Sequence, residues 1–189
     1  MRYYCNMDSY DTVRRQYQPK HISFLIIAES PPPAAHIQSS RHFYRTEKIR
    51  QDDRLFTNTI RALYPEIADA TELALEQNKE SWLRRFQKDG WYMIEALKQS
   101  QQHHVTKQQR QQHIRESLPQ IVDRVSKLAT PSTKIILVKS NVYDIAAEPL
   151  RAAGFNVLNT ELVDYPGRFN QQAYRTKLAF LAKKGAAHR

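Results

Sequence analysis

Ile22-Ser23-Phe24-Leu25-Ile26-Ile27-Ala28 is a nearly unbroken apolar run that stops at Glu29-Ser30 and three successive prolines, Pro31 to Pro33. A strand with one wet face alternates apolar and polar residues. A short continuous run rich in β-branched side chains is instead the pattern of a strand covered on both faces, as in a parallel sheet. Prolines offer no N–H and hold φ fixed, so neither a ladder nor a helix continues through them, and the chain must leave as an extended loop. The fold therefore has to bury this run and carry Glu29 at its end. Lys134-Ile135-Ile136-Leu137-Val138 repeats the pattern, and Trp91–Ile94 and Phe155–Leu158 are shorter candidates.

Helical periodicity fills the intervals. From Asp52 or Asp53, apolar residues recur at Leu55, Phe56, Ile60 and Leu63 before Pro65, which reads as a helix with an acidic cap that ends ahead of the proline. Residues 66–77 are ambiguous. Lys79–Lys88 places Trp82, Leu83 and Phe86 on one face, with Gly90 past its end. The Gln- and His-rich stretch 98–112 is either a loop or the exposed start of a long helix, which is clear from Ile114 to Leu128 and closed by Pro131. Asn141 is positioned to cap a helix that ends at Gly154, with Pro149 expected to kink it. A last amphipathic helix spans 169–184, with Phe169, Tyr174, Leu178 and Leu181 expected to face inward. Strands alternating with helices call for a parallel sheet covered on both faces, and ligands of such sheets gather beyond the carboxyl ends of the strands.

The 189 residues suffice for one core, so a single α/β domain is expected, with residues 1–20 as an N-terminal extension and 185–189 as a loose basic tail. The formal charge of +10 favours a polyanionic partner, nucleic acid first and an anionic surface second, against the plainer reading of a solvated basic exterior. Cys5 is the only cysteine, which excludes an internal disulfide and fits a reducing compartment. The apolar runs are too short to span a bilayer, and no signal-peptide pattern opens the chain. A cytoplasmic protein without a membrane partner is the expectation.

Two loops stand out at strand ends. Glu29, fixed by the strand before it, can position water or accept a proton, or else cap a backbone or pair with an arginine. Ser30 lacks a base and a Gly-x-Ser-x-Gly elbow, so it is not a nucleophile. Arg41-His42-Phe43-Tyr44-Arg45 sets two rings among basic groups, which suits base stacking with phosphate neutralisation, or a core phenylalanine flanked by solvated arginines. Tyr165-Pro166-Gly167-Arg168 is a turn ahead of a helix, where backbone N–H groups and Arg168 favour an anion. Lys139, with Arg41 and Arg45, is a candidate phosphate contact, and Asn141 a candidate ligand contact. His103, His104 and His113 lack the spacing and carboxylates of a metal site. The four scattered glycines form no phosphate-binding loop, and no cofactor is expected.

The segment Ala28-Glu29-Ser30-Pro31-Pro32 resembles the first motif of the uracil-DNA glycosylase superfamily, Gly-Glu-x-Pro-Gly or Gly-x-Asn-Pro-Gly. Phe43 or Tyr44 is similar to the ring that stacks on the target base, and Arg54-Leu55-Phe56 onward to the helix after it. Lys134–Leu150 looks like the approach to the final motif, and Tyr165-Pro166-Gly167-Arg168 resembles that motif, His-Pro-Ser-Gly. The likeness runs in order from about residue 22 to 181. It implies a three-layer α/β/α sandwich around a short, mainly parallel sheet of about four strands, DNA as ligand, and hydrolysis of the N-glycosidic bond of a modified or mismatched base. Ser30 stands at the family's Asn position, no Asp lies between Glu29 and Lys48, and Tyr165 replaces the late histidine. The resemblance therefore implies Glu29 as water-positioning group and Tyr165 as hydrogen-bond donor to the leaving base, with Ser30, Pro31, Phe43, Tyr44, Asn141 and Arg168 around the substrate. The alternatives are a nucleic-acid binder of the same fold without cleavage, and an enzyme acting on a nucleoside-type small molecule.

Overall fold

The computed structural model describes residues 8–32, 42–46, 53–101 and 105–187. Four strands form one all-parallel sheet: β1 (Phe24–Ala28), β2 (Trp91–Glu95), β3 (Lys134–Leu137) and β4 (Asn156–Val157), in the order β2-β1-β3-β4. Leu25, Ile26 and Ile27 are wholly inaccessible, as a strand covered on both faces requires. The register sets Ala28 opposite Glu95 and Ile27 opposite Leu137, so the three longer strands end nearly level.

Helices fill every crossover. α1 (Asp8–Arg15) precedes β1, and α2 (Arg54–Leu63), a 3-10 turn (Pro65–Ile67), α3 (Glu72–Gln77) and α4 (Lys79–Lys88) join β1 to β2. α5 (Lys107–Leu128) returns to β3, α6 (Ser140–Ala152) joins β3 to β4, and α7 (Gln171–Ala186) closes the chain. Crossovers between parallel strands are right-handed, so the reversal of direction after β2 puts α5 and α6 on the face opposite α2. Accordingly α2 packs on α7 and α5 on α6, giving the α/β/α sandwich.

Local chemistry explains the boundaries. Asp53 caps α2 by accepting the Phe56 N–H, and Thr71 caps α3, which resolves the ambiguous 66–77 stretch. Thr106 and Gln109 form a capping box that starts α5 at Lys107, so the latter part of the 98–112 stretch is helical. Gly90 follows α4 at φ 79°, and its carbonyl accepts the N–H groups of Ser23 and Phe24. β4 is short because Asn159 takes over its role: its side-chain amide accepts from Leu137 N at 3.0 Å and donates to Leu137 O at 3.1 Å. A further bridge between Val138 and Val163 keeps residues 156–163 along the edge of β3.

Residues 8–15, within the expected N-terminal extension, form a helix whose Arg14 is buried in the fold. Two sequence expectations are corrected. α7 continues to Ala186 where a loose tail was expected from residue 185, and Gly185 is buried against Phe24. Phe169, expected inside, is 88% exposed because α7 starts two residues later, at Gln171. Tyr174, Leu178 and Leu181 do face inward.

A Cβ at Gly185 would lie 2.5 Å from Phe24 Cε1, on a ring stacked at 4.2 Å against Trp91 and unable to withdraw. Gly185→Ala is therefore expected to cost about 1–3 kcal/mol, visible in thermal unfolding as a drop of roughly 2–4 °C per kcal/mol for a chain of this size.

Candidate functional site at the carboxyl edge of the sheet

The chain leaves β1 toward β2 on one side and then returns to β3 on the other, so the crevice of this sheet opens between the carboxyl ends of β1 and β3. Glu29 and Lys139 flank it. Glu29 is held by its backbone, whose carbonyl accepts Leu97 N–H at 2.8 Å, extending the ladder one residue past β1. Its side chain is 4% exposed and ion-paired with Lys139 Nζ from β3's end and, at 3.5 Å, with Arg110 from the first turn of α5. Among the described residues neither carboxylate oxygen has a well-directed hydrogen bond, so charge rather than geometry holds the group.

Lys139 has φ 80°, the left-handed region that a lysine enters only under constraint. Its N–H donates to Val163 O at 2.8 Å and its carbonyl accepts from Val142 and Tyr143, which together fix the bend into α6. Asn141 is consequently not the cap expected for this helix. It lies one residue inside, 4% exposed, with Oδ1 lacking a partner among the described residues.

The final loop reaches the same edge through the Val138–Val163 bridge, two residues before Tyr165. Tyr165 is 43% exposed, Pro166 is buried, and Gly167 N–H closes a tight turn on the Tyr165 carbonyl at 2.7 Å. Arg168 lies 5.5 Å from the ring of Phe169, so a cation and an open aromatic surface sit together before α7. Phe169 was not among the expected ligand contacts; its exposure follows from where α7 begins, which periodicity alone misplaces.

The expected stacking rings are elsewhere. Phe43 and Tyr44 are 3% and 1% exposed. Phe43 packs edge-on to Phe56 and against Phe86, and the Tyr44 hydroxyl accepts Met93 N–H at 2.7 Å, satisfying the open side of edge strand β2. They are core residues, and the expectation that they stack on a base is corrected on that ground. Arg45 is half-buried in the turn that follows, Ser30 half-buried and Pro31 buried at the β1 rim. Arg41, His103, His104 and Cys5 lie outside the described residues. Among the described residues no three metal-ligating side chains converge, and His113 is exposed with Nδ1 2.7 Å from Gln101.

A second charged group, at the end of β2, gives no sign in the sequence. Glu95 is buried with Oε2 2.5 Å from Arg14 NH1 and Oε1 3.3 Å from His42 Nε2, while Arg14 also pairs with Asp11. The partners are 81 and 53 positions from Glu95, beyond the reach of any local pattern. Burial pushes the Glu95 carboxyl upward, but His42 and Arg14 outweigh it and hold the group below the usual carboxylate range. A wide hollow of about 620 Å³ against Phe24, Tyr64 and Trp91 lies at the opposite, amino edge and contains none of the expected residues.

No family model, curated protein or solved structure matches this chain. No helix among the described residues is long and apolar enough to cross a membrane.

With its folded-state pKa depressed, Glu95 contributes stability that is fully present above its ordinary value of 4.5 and lost as pH falls through the lower folded value. Glu95→Gln should destabilise the fold by roughly 3–5 kcal/mol at neutral pH, because buried Arg14 loses its main partner. Denaturant midpoints should also fall less steeply on acidification in the variant than in the wild type.

Proposed function

We propose that this chain is a uracil-DNA glycosylase-like protein that binds nucleic acid, DNA above all, across the carboxyl edge of its sheet. The observation that carries the reading is the buried Glu29, in the motif-like Ala28-Glu29-Ser30-Pro31-Pro32 segment, held at the crevice by Lys139 and Arg110. The surplus of ten positive charges supports a polyanionic ligand. Tyr165 and Phe169 supply the exposed rings that Phe43 and Tyr44 do not, with Arg168 beside them for a phosphate.

In the hydrolytic form of this reading, an extruded nucleotide brings its C1′ near Glu29. The carboxylate orients a water for attack and opposes the positive charge that grows on the sugar as the bond to the base breaks. The water oxygen bonds to C1′ and its proton passes through Glu29 to solvent; the bonding electrons leave with the base, which Tyr165 hydrogen-bonds and solvent protonates, and the sugar is left abasic. Because tyrosine is neutral, this assistance is weaker than that of a charged imidazole. A second reading, binding without cleavage, draws on the pairing of Glu29 with two cations, which compete with water for its oxygens.

Both readings predict binding of single- or double-stranded oligonucleotides that weakens linearly with the logarithm of salt concentration. Lys139→Ala should lower that slope by about one, and Phe169→Ala should cost about 1–3 kcal/mol of single-strand affinity, both read by fluorescence anisotropy. Incubation with oligonucleotides carrying deaminated, oxidised, alkylated or mismatched bases separates the readings. Abasic product lost in Glu29→Gln supports the glycosylase; tight binding with no product across the panel leaves the binder; salt-independent or absent binding overturns both.

A further inference from the structure

Beside the crevice, between α1 and the end of β2, lies a cavity of about 160 Å³. At ~30 Å³ per water it has the room of about five waters, enough for one compact polyatomic anion with part of its hydration. Arg14, Lys98 and Arg124 line it together with Asp11, Glu95 and Pro31. Three cations thus face two carboxylates, and both carboxylates are drawn onto Arg14. Glu95 is shared further with His42, at 3.3 Å.

Lys98 and Arg124 are left over. Neither has an ion-pair partner among the described residues. Arg124 donates from NH2 to the Ala96 carbonyl at 2.5 Å, while its Nε–H has no acceptor. A guanidinium has five N–H donors and binds oxyanions through two at once, so this one is short of oxygen. Lys98 is exposed and brings a mobile charge to the cavity's open side. Burial and the nearby Arg14 push the Arg124 pKa down, and Glu95 and Asp11 only partly offset them. Among the described residues no third carboxylate lines the cavity.

We infer that this cavity binds an oxyanion on Arg124, Lys98 and Arg14. The ligand chemistry is a phosphate-type group, delivered either by a small free anion or by the backbone of a nucleic-acid strand lying across the adjacent crevice. Pro31, in the loop that carries Glu29, forms part of the wall, so occupancy of the cavity and the position of that loop are physically linked. The site goes beyond the proposed function, because it needs no base, no cleavage and no nucleic acid to be filled.

The test uses the full chain and inorganic phosphate, with ionic strength held constant by sodium chloride. A saturable rise in Tm with phosphate is expected in the wild type. Lys98→Gln, an exposed position with no structural partner, should weaken the apparent phosphate affinity at least five-fold, by analogy with the loss of a charge-assisted contact. Arg124→Gln should abolish the rise. A wild type without a saturable response, or a response unchanged in both variants, overturns the site. A labelled oligonucleotide then identifies the source. Loss of its affinity in saturating phosphate at fixed ionic strength supports a strand phosphate in the cavity, and unchanged affinity supports a separate small anion. Since the first titration contains no nucleic acid, failure of the phosphate site and failure of the nucleic-acid reading are distinguishable.

Discussion

Two carboxylates buried at the ends of neighbouring strands of a parallel sheet must each find positive charge, and that requirement organises the carboxyl edge of this protein. Glu95 is the last residue of β2 and Glu29 the first beyond β1, on neighbouring strands. Taking an ionised carboxylate from water costs several kcal/mol even after relaxation, a large share of the stability of an ordinary domain, unless positive charge meets it. Lys139 and Arg110 answer Glu29, and Arg14 and His42 answer Glu95. Each partner comes from a different part of the chain, so neutralising two charges ties α1, the 42–46 turn, the start of α5 and the entry to α6 to one edge.

Such pairs contribute more to geometry than to net stability, because the desolvation of both ions offsets most of their attraction. The stabilising interactions lie below, in the apolar strands and the helices that cover them. The edge is therefore a region of held charge on a stable base, with one residue, Lys139, in a backbone conformation that side chains avoid. The same pattern occurs inside the molecule where it serves structure alone. Lys79 is buried 2.5 Å from Asp53 and donates to the His42 carbonyl, fixing the cap of α2 to α4. What sets the edge apart from that inner pair is access: Lys139 and Arg110 remain partly open to solvent, and Lys79 does not.

The architecture was legible because its signals are local. Continuous apolar runs mark buried strands, and caps such as Asp53 mark helix starts, within a few residues of the feature itself. Glu29 was legible for the same reason, being adjacent to its strand. Its partner was not assigned, since 110 positions separate it from Lys139. The rings illustrate the limit from the other direction. Phe43 beside arginines and Phe169 beside Arg168 present the same local chemistry, yet one is enclosed by Phe56 and Phe86 and the other is open to water. What distinguishes them is the packing of distant helices, which no window of sequence contains. Asn159 is a subtler case: an asparagine after a short strand reads as a turn residue, but its amide imitates the missing backbone of β4.

The exchange of rings bears on the proposed chemistry. A ring that stacks on a base from within the core would have to form one wall of an enclosed pocket; Phe43 and Tyr44 are instead committed to the sheet, with Tyr44 closing the edge of β2. In the proposed reading, stacking by Tyr165 and Phe169 would take place at the surface, where a base is gripped from one side and water is admitted from the other. Surface stacking combined with Lys139 and Arg168 favours affinity for a strand over selectivity for one base, because every base offers a π-face and every linkage a phosphate. Selectivity among bases would have to arise deeper, from buried groups such as Asn141 Oδ1, which has no partner among the described residues. A buried acceptor without a donor is costly, and a base edge presenting an N–H at that depth would relieve it.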